Sequence, residues 1–329
     1  MASGGTIDRV NALLDRQRVE EAARLLFEAV RDGEAAAALE LARWRIFGNL
    51  IRRDLPAARA LLARAAASGE EEAALLHANL LAAGVGGGAD WAGAVMALRQ
   101  LENRSARSAA QLALLSEMAL AEDGTPSAAP GRGLLSEAPR VTICEALLSP
   151  KECAYLRALG APLLQPSVIV DPQTGKMVPH PVRTSDGAAF GVLSEDLVVN
   201  AVNRRIAAFS GTAYTQGEPL QMLSYRPGTE YRPHLDAIGK EANQRILTVI
   251  VYLSDSFEGG ETLFPRTGFS IRGKMGDAIM FRNVLADGQP DPMSLHAGTP
   301  VTQGTKVIAT RWIRRLPFSY PPPQPLLAL

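Results

Sequence analysis

The chain has 329 residues, more than a single domain usually contains, so we expect two domains, each with its own core. Lysine and arginine together number 34, as do aspartate and glutamate, so the total charge gives no reason to expect binding to nucleic acid or to an anionic membrane. The two cysteines, Cys144 and Cys153, are too few to stabilise such a chain by disulfides, so we expect reduced thiols. No apolar run reaches the roughly 18 residues of a membrane helix, so we expect a cytoplasmic protein.

The first third of the chain repeats itself. Residues 6–122 are rich in alanine and leucine, almost free of proline, and carry apolar residues at helical spacing. Shifting this segment by 36 residues aligns Gly33 with Gly69, Leu39 with Leu75, Gly48 with Gly84, Asp54 with Asp90, and Leu62 with Leu98. A period in the mid-thirties with glycines at the turns is typical of stacked helical hairpins. We predict an α-helical repeat domain, an α-solenoid, over residues 1–122.

The stretch GEEEAALLHANLLAAGVGGGADWAGAVMAL, residues 69–98, resembles Sel1-like and tetratricopeptide repeats. That resemblance implies a scaffold which recruits or orients a substrate, or drives self-association.

The composition changes between residues 123 and 138, where glycine, proline, serine and alanine predict a linker. From residue 139 to 318, short β-branched runs alternate with glycine-containing turns, which predicts a mostly antiparallel sheet. Helices are expected near residues 150–159 and 193–209. The proline-rich residues 319–329 cannot continue a central strand and predict an extended tail.

Three residues of the second domain have the right chemistry for a metal site. His234 and Asp236 stand two apart in a strand-like stretch, so their side chains leave the same face and can bind one ion. Two imidazoles and one carboxylate on one face suit Fe(II) and leave positions open for an oxidant and a co-substrate. His296, separated from them by intervening strands, supplies the second imidazole. We predict that these three residues are the metal ligands and the catalytic centre.

Lys306 provides independent support for this site. It follows His296 by ten residues across the turn-forming segment 302–304, so a hairpin would return it to the metal. A buried ammonium group needs an anion, and the distal carboxylate of 2-oxoglutarate would supply one. Only five of the 34 basic residues are lysines, so a lysine at this position is not expected by chance and carries information.

With these motifs in place, residues 139–317 resemble the catalytic domain of prolyl 4-hydroxylases. PRVTICEALLSPKECAYLRAL is similar to the opening strand and helix of that domain, and VIVDPQTGK, residues 168–176, to its substrate-covering loop. The resemblance implies a double-stranded β-helix, or jelly-roll, within an α+β multidomain chain. It also implies Fe(II), 2-oxoglutarate and O₂, and ascorbate, which family members often use to rescue oxidised iron.

The resemblance also implies further site residues, which are assigned by their positions relative to the motifs. For 2-oxoglutarate they are Lys306, Tyr225, Thr248 and Tyr252, and for the substrate they are Arg245, Trp312, Tyr231 and Arg183. Structural alternatives stay open: Tyr225 as a core aromatic, Trp312 as a packed strand residue, and Arg245 as an ion-pair partner of Glu241 or Glu261. The chain departs from the family pattern at Arg282 and Arg314, which leaves the identity of the substrate open.

The leading hypothesis is a dioxygenase that hydroxylates a prolyl residue of a peptide or protein and releases succinate and CO₂. One alternative is a hydroxylase of a free amino acid or small metabolite, which a closed small pocket would favour over an open groove. Another is an interaction protein in which the oxygenase fold no longer turns over and the helical repeats bind partners.

Overall fold

A computed structural model of the chain describes residues 5–170, 177–179, 182–239, 241–319 and 323–327. The predicted loop residues 171–176 lie outside these ranges. The chain forms two compact units, one of Met1–Gly124 with Ser319–Leu329 and one of Thr125–Phe318. We call the first the helical unit and the second the sheet unit. Together they give an α+β fold.

The described part of the helical unit contains seven helices. They are α1 Thr6–Asp15, α2 Val19–Arg31, α3 Ala35–Phe47, α4 Leu55–Ala67, α5 Glu71–Ala83, α6 Trp91–Leu101 and α7 Ala106–Glu117. Each helix packs mainly against the next one along the chain. Their buried faces are built largely from alanine and leucine, whose small or unbranched side chains favour the helix and let neighbouring axes approach.

The same helix ends recur at a spacing of 36 residues. Gly48 and Gly84 follow α3 and α5 in the left-handed conformation, with φ of 75° and 71°, which glycine adopts without steric cost. Asp54 and Asp90 precede α4 and α6, and the side chain of each accepts a hydrogen bond from the backbone N–H three residues on, at 3.0 and 2.8 Å. These caps satisfy N–H groups that the first helical turn leaves without a partner.

The tail does more than extend from the sheet unit. Leu326 N donates to the Asn49 carbonyl oxygen at 2.9 Å and Leu327 N to that of Leu50 at 3.0 Å, and Leu327 forms a parallel bridge with Ile51. These backbone bonds make the described residues 323–327 a short strand-like edge of the helical unit. The sequence predicted an extended conformation there but no partner.

The sheet unit is built on sixteen described strands and two helices. The strands are β1 Gly133–Glu137, β2 Arg140–Cys144, β3 Gln165–Pro166, β4 Val168–Val170, β5 Met177–Pro179, β6 Asp186–Phe190, β7 Leu220–Tyr225, β8 Tyr231–His234, β9 Arg245–Tyr252, β10 Phe257–Gly259, β11 Thr262–Phe264, β12 Phe269–Ile271, β13 Ala278–Arg282, β14 His296–Gly298, β15 Val301–Gly304 and β16 Lys306–Arg314. The helices are α8 Pro150–Gly160 and α9 Leu197–Ser210. In the described ranges, none of the helices of either unit combines the length and apolarity needed to cross a bilayer.

The strands pair antiparallel in two larger sheets. The first has eight strands in the order β1-β2-β13-β9-β16-β7-β6-β3, and the second has four in the order β12-β11-β14-β8. The pairs β10–β15 and β4–β5 stand apart from them. One buried cluster takes side chains from both sheets, and the rings of Phe281 from β13 and Phe264 from β11 meet edge to face with centroids 5.2 Å apart. The core therefore lies between the sheets.

Part of the segment predicted to be a linker, residues 123–138, is a strand. Residues 133–137 form β1, which pairs antiparallel with β2 at the edge of the eight-stranded sheet. Its side chains are almost all exposed, so the strand leaves no apolar alternation in the sequence. The linker prediction is wrong for these residues, because backbone hydrogen bonds alone can hold an edge strand.

Candidate active site

The register of two neighbouring strands brings the predicted histidines together. His234 is the last residue of β8 and lies opposite His296, the first residue of β14, with ring centroids 4.2 Å apart. Asp236 follows two residues beyond His234, and its carboxylate oxygens lie 3.6 Å from Nε2 of each histidine. One ligand atom from each residue lies within 4.8 Å of the others. Such a set can bind one metal ion.

The protonation states of Asp236 and His296 suit metal binding. Burial by itself would raise the pKa of Asp236, but His296, His234 and the Thr248 hydroxyl hold that pKa below its ordinary value, so the carboxylate is ionised. Burial lowers the pKa of His296 to about 4, against the opposing effect of Asp236. This imidazole is therefore neutral at physiological pH and can donate a nitrogen lone pair.

Both imidazoles are oriented by backbone carbonyl groups. Nδ1 of His296 lies 3.0 Å from the Ser294 oxygen, and Nδ1 of His234 lies 2.8 Å from the Arg232 oxygen. An N–H at Nδ1 donates to these carbonyls and leaves Nε2 free for an ion. The tautomer required for a metal ligand is thus set by the backbone.

A pocket extends from the three ligands into the core between the sheets. Its apolar walls include Leu223, Ile250 and Ile308. The predicted site residues that line it are His234, Asp236, His296, Lys306, Tyr225, Thr248, Tyr231 and Trp312. A mainly apolar pocket with a few convergent polar groups is typical of a small-molecule site.

Lys306 lies in the wall of this pocket and is 2% exposed. Its Nζ donates to the Gly260 carbonyl oxygen at 2.6 Å, and among the described residues no carboxylate lies within ion-pair distance. Burial lowers the pKa of Lys306 to about 8, with Glu261 opposing. A buried ammonium group with donors to spare fits a carboxylate ligand.

The chain brings Lys306 to the pocket by a different path from the predicted hairpin. The segment expected to turn, residues 302–304, lies in β15, which pairs with β10. Lys306 opens β16, where it lies opposite Tyr225 of β7 in the eight-stranded sheet. The two strands pair across a long separation in the chain, which spacing alone could not indicate.

Two residues expected to contact 2-oxoglutarate have other partners. Thr248 lines the pocket, but its hydroxyl donates to Asp236 Oδ2 at 2.6 Å, so it orients the Asp236 carboxylate. Tyr252 is absent from the described pocket wall and its hydroxyl lies 3.3 Å from the Ile271 carbonyl oxygen. Its ring packs in the core, which fits a structural role.

The residues predicted for the substrate form two aromatic contacts near the His234–Asp236–His296 cluster. Tyr231 stacks on His234 with ring centroids 3.5 Å apart, and the Arg183 guanidinium lies 5.7 Å from the Tyr231 ring. The Arg245 guanidinium lies 4.0 Å from the Trp312 ring. Trp312 is 5% exposed, and its Nε1–H finds no acceptor in the part of the chain that the structure describes. Buried donors are usually hydrogen-bonded, so this N–H, in a residue that lines the pocket, is open to an acceptor from a ligand.

Glu218 is a partner that the sequence did not single out. Its buried carboxylate accepts from Arg245 Nε and Nη2 at 2.6 and 2.8 Å, and from Arg314 Nε at 2.6 Å. Arg245 therefore pairs with Glu218 and with neither carboxylate weighed beforehand. The ion pair with Glu218 holds the Arg245 guanidinium over the Trp312 ring, so its position does not depend on a bound substrate.

The sequence and the structure are similar to those of known oxygenases. The family described as the 2OG-Fe(II) oxygenase superfamily matches residues 220–314. "Prolyl 4-hydroxylase 1" of Arabidopsis thaliana is 38% identical over 201 residues, covering 55% of this chain and 71% of the relative. "Probable prolyl 4-hydroxylase 10" of the same plant is 37% identical over 205 residues, with the same two shares.

Among solved structures, the viral collagen prolyl hydroxylase from Paramecium Bursaria Chlorella virus-1, in its 2OG complex, is 27% identical. The match covers 54% of this chain and 96% of the viral chain, with a TM-score of 0.44.

Proposed function

Because the chain belongs to the prolyl 4-hydroxylase family of 2-oxoglutarate- and Fe(II)-dependent oxygenases, we propose that it hydroxylates a prolyl residue of a peptide or protein. The reaction consumes 2-oxoglutarate and O₂ and releases succinate and CO₂. Its metal is Fe(II). Ascorbate, as the reductant that returns oxidised iron to the ferrous state, is part of the proposal.

One observation carries this proposal: two imidazoles and a carboxylate converge within 4.8 Å, and a buried lysine lies in the same pocket. When bound, Fe(II) and 2-oxoglutarate supply the oxidising chemistry that turns C–H into C–OH. We assign the metal to His234, Asp236 and His296, and the distal carboxylate of 2-oxoglutarate to Lys306. The apolar walls exclude water from the reacting carbon.

The substrate assignments rest on contacts around the metal ligands. Tyr231, stacked on His234, and the Arg245–Trp312 pair lie beside the ligands, and Arg183 lies against Tyr231. The Nε1–H of Trp312, which has no acceptor among the described residues, can donate to a carbonyl oxygen of a bound peptide. We propose that these groups orient the prolyl ring, while Tyr225 borders the 2-oxoglutarate end of the pocket.

We also propose that the sheet unit is a jelly-roll and the helical unit an α-solenoid. Two antiparallel sheets that share one core support a jelly-roll, and helix ends that recur every 36 residues support an α-solenoid. We propose that the helical unit recruits the proline-containing peptide. The limits of the repeat domain at 1–122 and of the oxygenase domain at 139–318, and a cytoplasmic location, remain predictions.

The direct test is an assay with Fe(II), 2-oxoglutarate, O₂ and proline-rich peptides that measures succinate and peptide mass together. We expect succinate release coupled to the gain of one oxygen atom by the peptide. His234→Ala should abolish both signals. His77→Ala, which changes a histidine of α5 in the helical unit, is the matched control and should keep them.

Three outcomes would change the assignment. Absence of succinate from the wild-type protein, or equal succinate from His234→Ala, would reject catalysis at this site. Hydroxylation of free proline without hydroxylation of any peptide would transfer the function to small metabolites.

A further inference from the structure

Asn283 is a fully buried polar residue next to the metal ligands that neither the sequence motifs nor the proposed mechanism uses. It directly follows β13 and is 0% exposed. Its Nδ2 donates to the Thr248 Oγ1 at 2.9 Å. The Thr248 hydroxyl in turn contacts Asp236 Oδ2 at 2.6 Å. An unbroken row of hydrogen bonds therefore runs from the amide of Asn283 to a carboxylate of the metal site.

The direction of these bonds follows from the number of protons. A threonine hydroxyl has one proton to donate. Thr248 Oγ1 has two acceptors in reach, Asp236 Oδ2 at 2.6 Å and Asn283 Oδ1 at 3.3 Å. The ionised carboxylate is both nearer and the stronger acceptor, so it receives the proton. Asn283 Nδ2 then supplies the donor that satisfies Oγ1, and all bonds point toward Asp236.

The backbone of Asn283 is fixed on both sides, which keeps its amide aimed at Thr248. Asn283 N donates to the Ile246 carbonyl oxygen at 3.0 Å, and Asn283 O accepts from Asp291 N at 2.9 Å. Asp291 O accepts from the Ser294 hydroxyl at 2.7 Å. The Ser294 carbonyl is the group that orients His296.

Asn283 thus lies where two routes of hydrogen bonds meet. One route passes through its side chain to Asp236, and the other passes through its backbone to the turn before His296. Neither route includes a contact between Asn283 and the metal position, and Asn283 is not among the residues that line the pocket.

We propose that Asn283 is a positioning residue that sets metal affinity by holding the Thr248 hydroxyl on Asp236. With the amide removed, Oγ1 loses its donor and Thr248 can rotate, so the carboxylate loses its fixed orientation. Partners of metal ligands typically contribute about 10- to 100-fold to metal affinity. The inference rests on the proposed function only in requiring that a metal binds the three ligands.

The test is a calorimetric titration of the full chain with Mn(II), a redox-inert probe for the Fe(II) site. No 2-oxoglutarate or peptide is added, so no turnover occurs. Asn283→Leu keeps the volume and removes the amide, and Thr248→Val keeps the shape and removes the hydroxyl. Each should weaken Mn(II) binding by about 10- to 100-fold. The double variant should bind no more weakly than Thr248→Val alone, since both changes remove the same support.

Two variants separate positioning from general damage to the fold. Asn203→Leu changes another fully buried asparagine of the sheet unit, whose side-chain atoms have no hydrogen-bond partner among the described residues. Its Mn(II) affinity should equal that of the wild type. Thr248→Ser retains the hydroxyl and should restore most of the affinity lost in Thr248→Val. If Asn283→Leu does not fold, Asn283→Ala removes the amide without adding bulk and replaces it in the titration.

The failures of the two proposals can be told apart. Wild-type affinity for Mn(II) in the folded Asn283 variants would overturn the role of Asn283 and leave the proposed function intact. So would a double variant whose loss equals the product of the two single losses. Wild-type protein that binds no Mn(II) at all would overturn the metal site itself.

Discussion

At the scale of single residues, Lys306 carries a charge that depends on pH within the working range of most enzymes. Its ammonium form predominates below the pKa of about 8 and is lost as pH rises through that value. Our proposal has 2-oxoglutarate bind the charged form, so we expect its affinity to be about tenfold lower at pH 9 than at pH 7. Anaerobic titration of the metal-loaded protein with 2-oxoglutarate measures this change.

The matched control is Lys306→Arg, because a guanidinium stays protonated throughout this range. The affinity of this variant for 2-oxoglutarate can be weaker overall but should not change between pH 7 and pH 9. An equally flat profile for the wild type would argue against contact between Lys306 and 2-oxoglutarate.

Glu218 is the buried carboxylate that pairs with Arg245 and Arg314. Glu218→Gln keeps the shape and removes the charge, so we expect it to lower the free energy of unfolding of the sheet unit by about 3 kcal/mol. Urea unfolding followed by the fluorescence of Trp312 measures this loss. Trp44→Phe and Trp91→Phe, both in the helical unit, remove the other tryptophan signals.

Glu241→Gln is the control for Glu218. The Glu241 carboxylate lies 3.9 Å from Arg314 Nη1, and its side chain is 45% exposed, so solvent screens the pair. We expect a loss below about 1 kcal/mol. Equal losses in the two variants would show that burial of Glu218 does not decide the strength of its ion pairs.

The site residues that could be predicted from the sequence belong to residue types that are rare in this chain and follow the order of a recognisable motif. The chain has only four histidines, so two at suitable positions around an aspartate carry information. Glu218 and Asn283 are of common types, and their partners lie 27 and 35 residues away in the chain. Only the register of β9 against its neighbours brings those atoms together, and spacing in the sequence does not reveal that register.

At the scale of elements, the recurring caps of α4 and α6 allow a paired prediction. Asp54→Ala and Asp90→Ala each remove one side-chain bond to a backbone N–H, so each should cost the helical unit about 1 kcal/mol. The two losses should be equal and should add in the double variant. Urea unfolding in a Trp312→Phe background reports on the helical unit alone.

Glu70→Ala serves as the control, because Glu70 precedes α5 but its side chain makes no capping bond. We expect little loss there. Clearly unequal losses at Asp54 and Asp90 would contradict the equivalence of the two helix ends.

Helices were easier to predict than edge strands, for a physical reason. The helix expected at 150–159 is α8, Pro150–Gly160, and its start is marked by Ser149 and Glu152, which form a capping box. The helix expected at 193–209 begins later, at Leu197, because Asp196 caps it. β1 escaped prediction because an edge strand with exposed side chains leaves no periodic signal in the sequence.

At the scale of the whole molecule, residues 319–329 belong with the helical unit although they follow the sheet unit in the chain. A chain that ends at Phe318 loses the bonds from Leu326 and Leu327 to Asn49 and Leu50. Ile51 is fully buried beside them, so we expect faster hydrogen exchange in the peptide that covers residues 49–51. Mass spectrometry of exchanged, digested protein measures it.

Leu327→Pro tests the same contact without shortening the chain, because proline lacks the donating N–H. It should also speed hydrogen exchange at residues 49–51, but by a smaller factor than the truncation does. The affinity for Mn(II), measured at ligands in the sheet unit, should stay at the wild-type value in both variants. Unchanged exchange in the truncated chain would show that the tail adds nothing to the stability of this segment.

The backbone bonds of Leu326 and Leu327 also set an order of events during translation. A ribosome releases α1 to α7 first, then the whole sheet unit, and only afterwards the residues that pair with Asn49 and Leu50. Domains generally begin to fold as they emerge. The nascent helical unit therefore lacks these bonds until just over two hundred further residues have been synthesised.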